Sequence, residues 1–468
     1  MSKSKDLAIN TAIITIGKLS TQFISFILLP IYTKYLTTAD YGVSDFLSTV
    51  IVLVVPILTL QMEQAAFRFL VDYRKKEYQK KKLISTVIFF LIGQCMLITL
   101  IYLCSQPFIR SIYKNYFFIN VLVCMVSGMF LQLTRGVGNN IQYTIASFIS
   151  SVVAILLNIL FVVFFKMGAT GLLLAMFFSN LISAVYLFFV IKIYSYVSIR
   201  FIDKELLKQM IKYSLPLIPN SISWWIMNMS DRSIITVVLG AGFNGLYAVA
   251  NKFPNIFIQI YNIFNLTWME SVAININEKD NFTFFKNTLN SMFKLFSSVC
   301  IGIIAGMPFL FNIMINEQYK EAYNQIPILT IATLFNVVIG LYSTFYIAKK
   351  MTNVVARTSM ICAVINIITN LILIKFIGLY AASLSTAIAF LVMMIYRYYD
   401  VKKIINIPLE TKNVILITIL LGLTTYLYYS KNITLQFIIL VIDFIICIVI
   451  NKKMLTSILN FLIKKIKK

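Results

Sequence analysis

The chain has 468 residues, 60% of them hydrophobic and only 12% charged, with a mean hydropathy of +0.86 and a formal net charge of +24. Soluble globular chains are roughly 45–50% apolar and about 25% charged, which argues against a water-soluble enzyme, a disordered scaffold or a nucleic-acid binder. In so apolar a chain the Lys/Arg surplus reads as the loops of a membrane protein rather than as contact with nucleic acid.

A membrane-spanning helix takes roughly 20 mostly apolar residues. The apolar runs predict fourteen spans, near 10–33, 42–63, 83–104, 117–134, 143–165, 171–193, 214–239, 245–275, 288–315, 324–348, 355–376, 379–400, 413–429 and 434–451. The first follows Met1-Ser-Lys-Ser-Lys and is too long for a signal sequence, so it reads as a retained span. Segments 245–275 and 288–315 are long enough to require tilt or interfacial extension. Thirty of the 41 Lys and Arg fall in loops and ends on one side of these spans and seven on the other. The richer side is cytoplasmic by the positive-inside rule, which puts both ends inside.

The longest polar loop is 64–82; the next, 194–213, reads as an amphipathic interfacial helix, and the tail Lys452–Lys468 as a segment lying on anionic lipid. All three also read as ordinary solvated loops. The six cysteines sit in apolar runs without paired spacing, and histidine is absent. No metal site and no cofactor are therefore expected.

Leu36-Thr-Thr-Ala-Asp-Tyr-Gly42-Val and Leu239-Gly-Ala-Gly-Phe-Asn-Gly245-Leu share the pattern Leu-x-x-small-x-x-Gly-aliphatic, 203 residues apart, each at the end of a span. Asn158 before Gly168-Ala-Thr-Gly171 matches Asn366 and Asn370 before Gly378-Leu-Tyr-Ala381. The fold class is thus all-α: a polytopic membrane protein with two pseudo-symmetric six-helix lobes and two further helices. The domains are 1–193 (spans 1–6), a cytoplasmic linker 194–213, 214–400 (spans 7–12), and 401–468 with spans 13–14 and the basic tail. Parallel repeats of this kind can rock against each other and open a cavity to either side in turn.

The run Asn10-Thr … Gly17-Lys18 … Leu29-Pro30-Ile-Tyr-Thr33-Lys-Tyr-Leu36-Thr-Thr-Ala-Asp-Tyr-Gly42 resembles the Wzx-type polysaccharide repeat-unit flippases of the multidrug/oligosaccharidyl-lipid/polysaccharide exporter superfamily. Asp231-Arg232-Ser-Ile-Ile, Gly245-Leu-Tyr-Ala-Val-Ala-Asn-Lys252, Trp268 and Tyr342-Ser … Lys349-Lys350 extend the likeness. Ala381 departs from it, standing where the pattern more often has Gly. The resemblance implies a bacterial inner-membrane flippase, not an enzyme. Its cargo would be undecaprenyl-pyrophosphate-linked oligosaccharide for O-antigen, capsule or exopolysaccharide. Its partners would be membrane lipids and the polysaccharide polymerase and chain-length machinery.

Charges inside a bilayer normally face a wet cavity or a partner. Lys18, Asp45, Asp231, Arg232 and Lys252 fall in spans 1, 2, 7 and 8, which the repeat makes equivalent pairs. Three cations and two acids facing one chamber would leave it positive, suited to pyrophosphate. Trp225, Asn228 and Asn265, with Asn10, Gln22, Asn220, Trp224 and Tyr261, would offer amide and aromatic surfaces to sugars. For Arg232 an ion pair to another helix is an equal reading; for Lys18 and Lys252, snorkelling or pairing. Glu63, Glu270, Lys294 and Asp443 read as snorkelling or inter-helix bonding groups. Pro30, Pro216, Pro219 and Pro254 either kink the cavity helices or mark helix ends.

A drug/cation antiporter or peptidoglycan-precursor flippase is the alternative within the same fold, and a membrane-embedded polymerase the alternative from another class. The basic residues argue against organic cations, and the short outer loops against an enzyme. No phosphate-cradling nucleotide motif is present, so ATP is not the direct energy source. Coupling to H+ (through Asp45 or Asp231) or Na+, and flipping driven by the glycan gradient, both stay open.

Overall fold

A computed structural model of the chain describes residue 26 and residues 28–276, 282–349 and 351–466. Every regular element among these residues is helical. The chain divides into two compact units, Met1–Gly245 and Leu246–Lys468. The division falls later than the linker 194–213, because span 7 packs with the first unit.

The first unit holds α1 (Leu29–Tyr35), α2 (Thr38–Leu58), α3 (Met62–Tyr73), α4 (Glu77–Ser105), α5 (Lys114–Gly136), α6 (Asn140–Asn158), α7 (Gly168–Val190), α8 (Lys204–Ser214) and α9 (Leu217–Val238). α2 opens on a capping box: the Asp40 N–H donates to Thr37 Oγ1 at 3.1 Å and the Thr37 N–H returns to Asp40 Oδ2 at 3.4 Å. Its far end breaks at Leu60 and Gln61, both with left-handed backbone (φ 51° and 55°), and Gln61 Nε2 then donates to Ser221 on α9 at 2.6 Å. α6 runs on through a π-helical turn, Ile159–Phe164.

The linker corrects one expectation. Asp203 caps α8 by accepting from the N–H groups of Glu205 and Leu206, and the apolar face of α8 buries Leu206 and Met210 in the protein core. There they join Met62, Ala65, Ala66 and Leu70 of α3 and Leu83 and Val87 of α4. A face that the sequence assigned to the membrane surface is covered by protein. The segment before it is pinned as well, with Ser85 Oγ donating to Tyr196 O at 2.6 Å and Asp203 paired with Lys82. Arg74, in the longest polar loop, donates to the carbonyls of Gly136 and Arg135 at 2.8 and 3.0 Å and so caps the C-terminus of α5.

The second unit begins inside α10 (Ala241–Ala250) and continues with α11 (Lys252–Asn275), α12 (Phe282–Met314), α13 (Ile326–Ala348), α14 (Thr352–Ile377), α15 (Tyr380–Ile404), α16 (Thr411–Ser430) and α17 (Ile433–Ile466). The long eighth span is interrupted at Asn251, between α10 and α11. Pro219 and Pro254 occupy first turns of α9 and α11, and Pro216 precedes α9. Their missing N–H groups would lack helical partners there anyway, so these prolines mark helix starts. Arg397, near the end of the twelfth expected span, is buried among α13, α14 and α15 (2% exposed), where it donates to Thr358 Oγ1 at 2.7 Å, Ser359 Oγ at 3.1 Å and Ser343 Oγ.

Eleven of the described helices are long and apolar enough to cross a membrane. α9 and α11 are not among them, because they carry amides, hydroxyls and charges, and α10 is too short. These stand where the seventh and eighth spans are expected, and most of the first expected span lies outside the described residues.

Candidate functional site

The polar residues of α2 and α9 meet each other. Arg232 Nη1 lies 2.8 Å from Asp45 Oδ1 and 3.4 Å from Thr49 Oγ1, one turn further along α2. The two charged side chains are 18% and 15% exposed, so water screens the pair only in part. Asn244, fully buried, spans the other side: its Nδ2 donates to Gly42 O at 2.8 Å and to Asp45 Oδ2 at 3.3 Å. Trp225, two turns back on the same face of α9, donates from its indole N–H to Thr49 O at 2.8 Å.

Two glycines allow this approach. A Cβ on Gly42 would stand 1.8 Å from Ala241 O and 2.7 Å from Gly245 N. A Cβ on Gly245 would stand 2.0 Å from Thr38 O. The contact is reciprocal: Thr38 and Gly42 correspond to Ala241 and Gly245 under the 203-residue repeat, and each glycine faces the partner segment's counterpart. Residue i meets j and j meets i, as at a two-fold axis. Tyr41, next to Gly42, is buried, with its ring 5.9 Å from that of Tyr32.

Of the sequence-derived candidates, the structure brings Asp45, Arg232 and Trp225 together. Asp231 is buried on α9, about 100° around the helix from Arg232. Asn228 is exposed and donates to Trp224 O at 2.8 Å, one turn back on its own helix. Lys252 belongs to the second unit, half-buried at the start of α11. On the same helix Tyr261 is buried against Gly340 and donates to Asn265 Oδ1 at 3.0 Å, which makes it a packing group rather than a sugar-facing surface. Trp268 is likewise enclosed, by Phe264, Phe285 and Phe345. Lys18, Asn10 and Gln22 lie outside the described residues.

The charge reading changes with this geometry. Arg232 is not an unpaired contributor to a positive chamber; Asp45 balances it at 2.8 Å. Asn244, Thr49 and the two glycines were not singled out as site residues, although Gly42 and Gly245 marked the repeat. Their signal was present: a small residue recurring at one phase in both copies is what a close helix contact requires.

A family described as polysaccharide biosynthesis protein matches residues 7–269, which include α2, α9 and α10. Among solved structures, a lipid II flippase, MurJ, in an inward closed conformation is similar over 94% of this chain and 99% of its own, at 16% identity and a TM-score of 0.70. An inward-facing multidrug resistance MATE family transporter of the MOP superfamily covers 84% of this chain and 98% of its own, at 12% identity and a TM-score of 0.64. A MOP superfamily transporter from Pyrococcus furiosus gives 13% identity and a TM-score of 0.53, covering 84% of this chain and 94% of its own. No curated protein sequence matches. At these identities the likeness concerns the fold.

Proposed function

The chain belongs to the polysaccharide biosynthesis protein family, and from that premise we propose that it is a flippase for lipid-linked oligosaccharide. It moves undecaprenyl-pyrophosphate-linked repeat units from the cytoplasmic to the outer leaflet of a bacterial inner membrane. The observation that carries the reading is the family match over the segment that builds the Asp45–Arg232 contact, in a chain with the fold of a lipid II flippase.

Loop charges put the ends of spans 1 and 7 outside. On that topology the Gly42–Gly245 contact closes the outer face between segments from the two copies of the repeat. Asp45, Arg232 and Asn244 fasten it. A pyrophosphate arriving from the cytoplasmic side offers the guanidinium a bidentate anion in place of Asp45. Exchange of one anion for the other releases the clasp without leaving Arg232 unpaired, and the two lobes can then open outward. The polyprenyl chain stays in lipid.

Peptidoglycan precursor is the second reading for the cargo, favoured by the shared fold with the lipid II flippase. Deleting the gene and probing which leaflet holds the lipid-linked glycan tests the proposal. Glycan trapped on the cytoplasmic side in the deletion, and released by the wild-type gene, supports it. Unchanged leaflet distribution contradicts it.

A further inference from the structure

α17 carries a carboxyl group at the middle of its apolar stretch Ile433–Lys452, at the depth where an ionised group is least tolerated. Asp443 is 2% exposed, although its neighbours Ile442 and Phe444 are open to the surroundings. It faces inward, toward α16. Its Oδ2 lies 2.7 Å from Thr424 Oγ1, and its Oδ1 is buried with no hydrogen-bond partner.

The threonine favours the protonated state. Thr424 Oγ1 is also 2.8 Å from Leu420 O, one turn back on α16. A hydroxyl has a single proton and two lone pairs. With Asp443 neutral, the threonine proton can go to Leu420 O while the carboxyl donates to Thr424 Oγ1, and both short contacts are satisfied. An ionised Asp443 would put two acceptors against one donor at mid-membrane, with its other oxygen bare.

We propose that Asp443 is a proton-binding site, held as the neutral carboxylic acid and donating from Oδ2 to Thr424 Oγ1 to fasten α17 to α16. The second helix packed on α17 is held separately: Asn451, two turns on, donates to Ser298 Oγ on α12 at 2.8 Å. The titratable group acting near Asp443 is Cys447, one turn along its own helix. Among the described residues, α16 presents Thr424 to the carboxyl, and α12 presents Ser298 at the level of Cys447. Losing the proton buries a charge whose one remaining hydrogen bond is the one Thr424 can donate, its other oxygen being bare, so exchange goes with entry of water between the two helices. Proton binding and the α16–α17 contact are therefore linked. This acid is distinct from Asp45, which pairs with Arg232, and the inference does not depend on what the chain carries.

Infrared difference spectra of the full-length protein in lipid, wild type against D443N, test the proposal. At neutral pH the wild type should show the carbonyl stretch of a protonated carboxylic acid that D443N lacks, and the band should persist well above the usual Asp range of about 3.9. T424V should keep the band and move it to the frequency of an acid without that acceptor. Thermal stability gives a second reading. D443N should match the wild type, because its amide N–H can donate to Thr424 in place of the acid, whereas D443A and T424V should fall. The proposal is overturned if carboxylate bands replace the acid band at neutral pH, if T424V leaves the band unmoved, or if D443N loses as much stability as D443A.

Discussion

Removing either member of the Asp45–Arg232 pair should have unequal effects, because the partners left behind differ. At a contact distance of 2.8 Å the charge centres are about 4 Å apart, which gives about 4 kcal/mol at an effective dielectric of about 20. Desolvation offsets roughly half of this, leaving a coupling of about 2 kcal/mol. D45A leaves the guanidinium with a single hydroxyl, Thr49 Oγ1 at 3.4 Å. R232A leaves the carboxylate with the buried Asn244 amide at 3.3 Å. D45A should therefore cost about 3 kcal/mol and R232A about 2 kcal/mol. The double variant should cost about 2 kcal/mol less than their sum. Thermal unfolding of the four proteins in one detergent at fixed salt measures the cycle. Additive losses, or a larger loss for R232A, would refute the reasoning. Transport separates clasp from anion site: the exchanged pair D45R/R232D should regain stability but not flipping, because the cation then projects from the wrong helix.

G42A and G245A should each lose transport and lower the melting temperature, since the added methyl meets a backbone oxygen at 1.8 or 2.0 Å; overpacking of this kind costs about 1–3 kcal/mol. Equal activity in either variant would remove the contact from the mechanism. R397K should lower thermal stability by about 2 kcal/mol or more, because an ammonium cannot reach Thr358, Ser359 and Ser343 together. Acid should loosen the linker. The side chain of Lys82, then the backbone N–H of Leu206, hold the Asp203 carboxyl below its ordinary range. That contribution is present above the unfolded value of about 3.9 and is lost as pH falls through the lower folded value. Hydrogen exchange across 194–214 should accordingly speed up in strong acid in the wild type and lose that acid step in D203N. Reporter fusions in loop 64–82 and at the C-terminus should both read cytoplasmic.

Span positions were legible because length and hydropathy alone decide whether a segment can cross a bilayer. Spans 7 and 8 were found despite their polarity, because their apolar runs are long enough; the repeat then set them opposite spans 1 and 2. The side-chain pairings were another matter. Arg232 as an ion-pair member and as a phosphate contact have the same sequence, and only the approach of α2 to α9 distinguishes them. The linker helix failed for a related reason: an amphipathic pattern says that one face is covered, not whether lipid or Leu70 and Leu83 cover it. Arg397 sits close enough to the end of α15 to read as a loop cation, and the hydroxyls that enclose it come from two other helices.

Purified protein reconstituted into liposomes with undecaprenyl-pyrophosphate-linked oligosaccharide on one leaflet puts cargo and direction to a single test. Wild-type protein should bring the glycan within reach of an impermeant lectin on the opposite side, and R232A should leave it protected. No crossing of the glycan, or crossing at the same rate with R232A as with the wild type, would contradict an anion-exchanging clasp on a lipid-linked sugar.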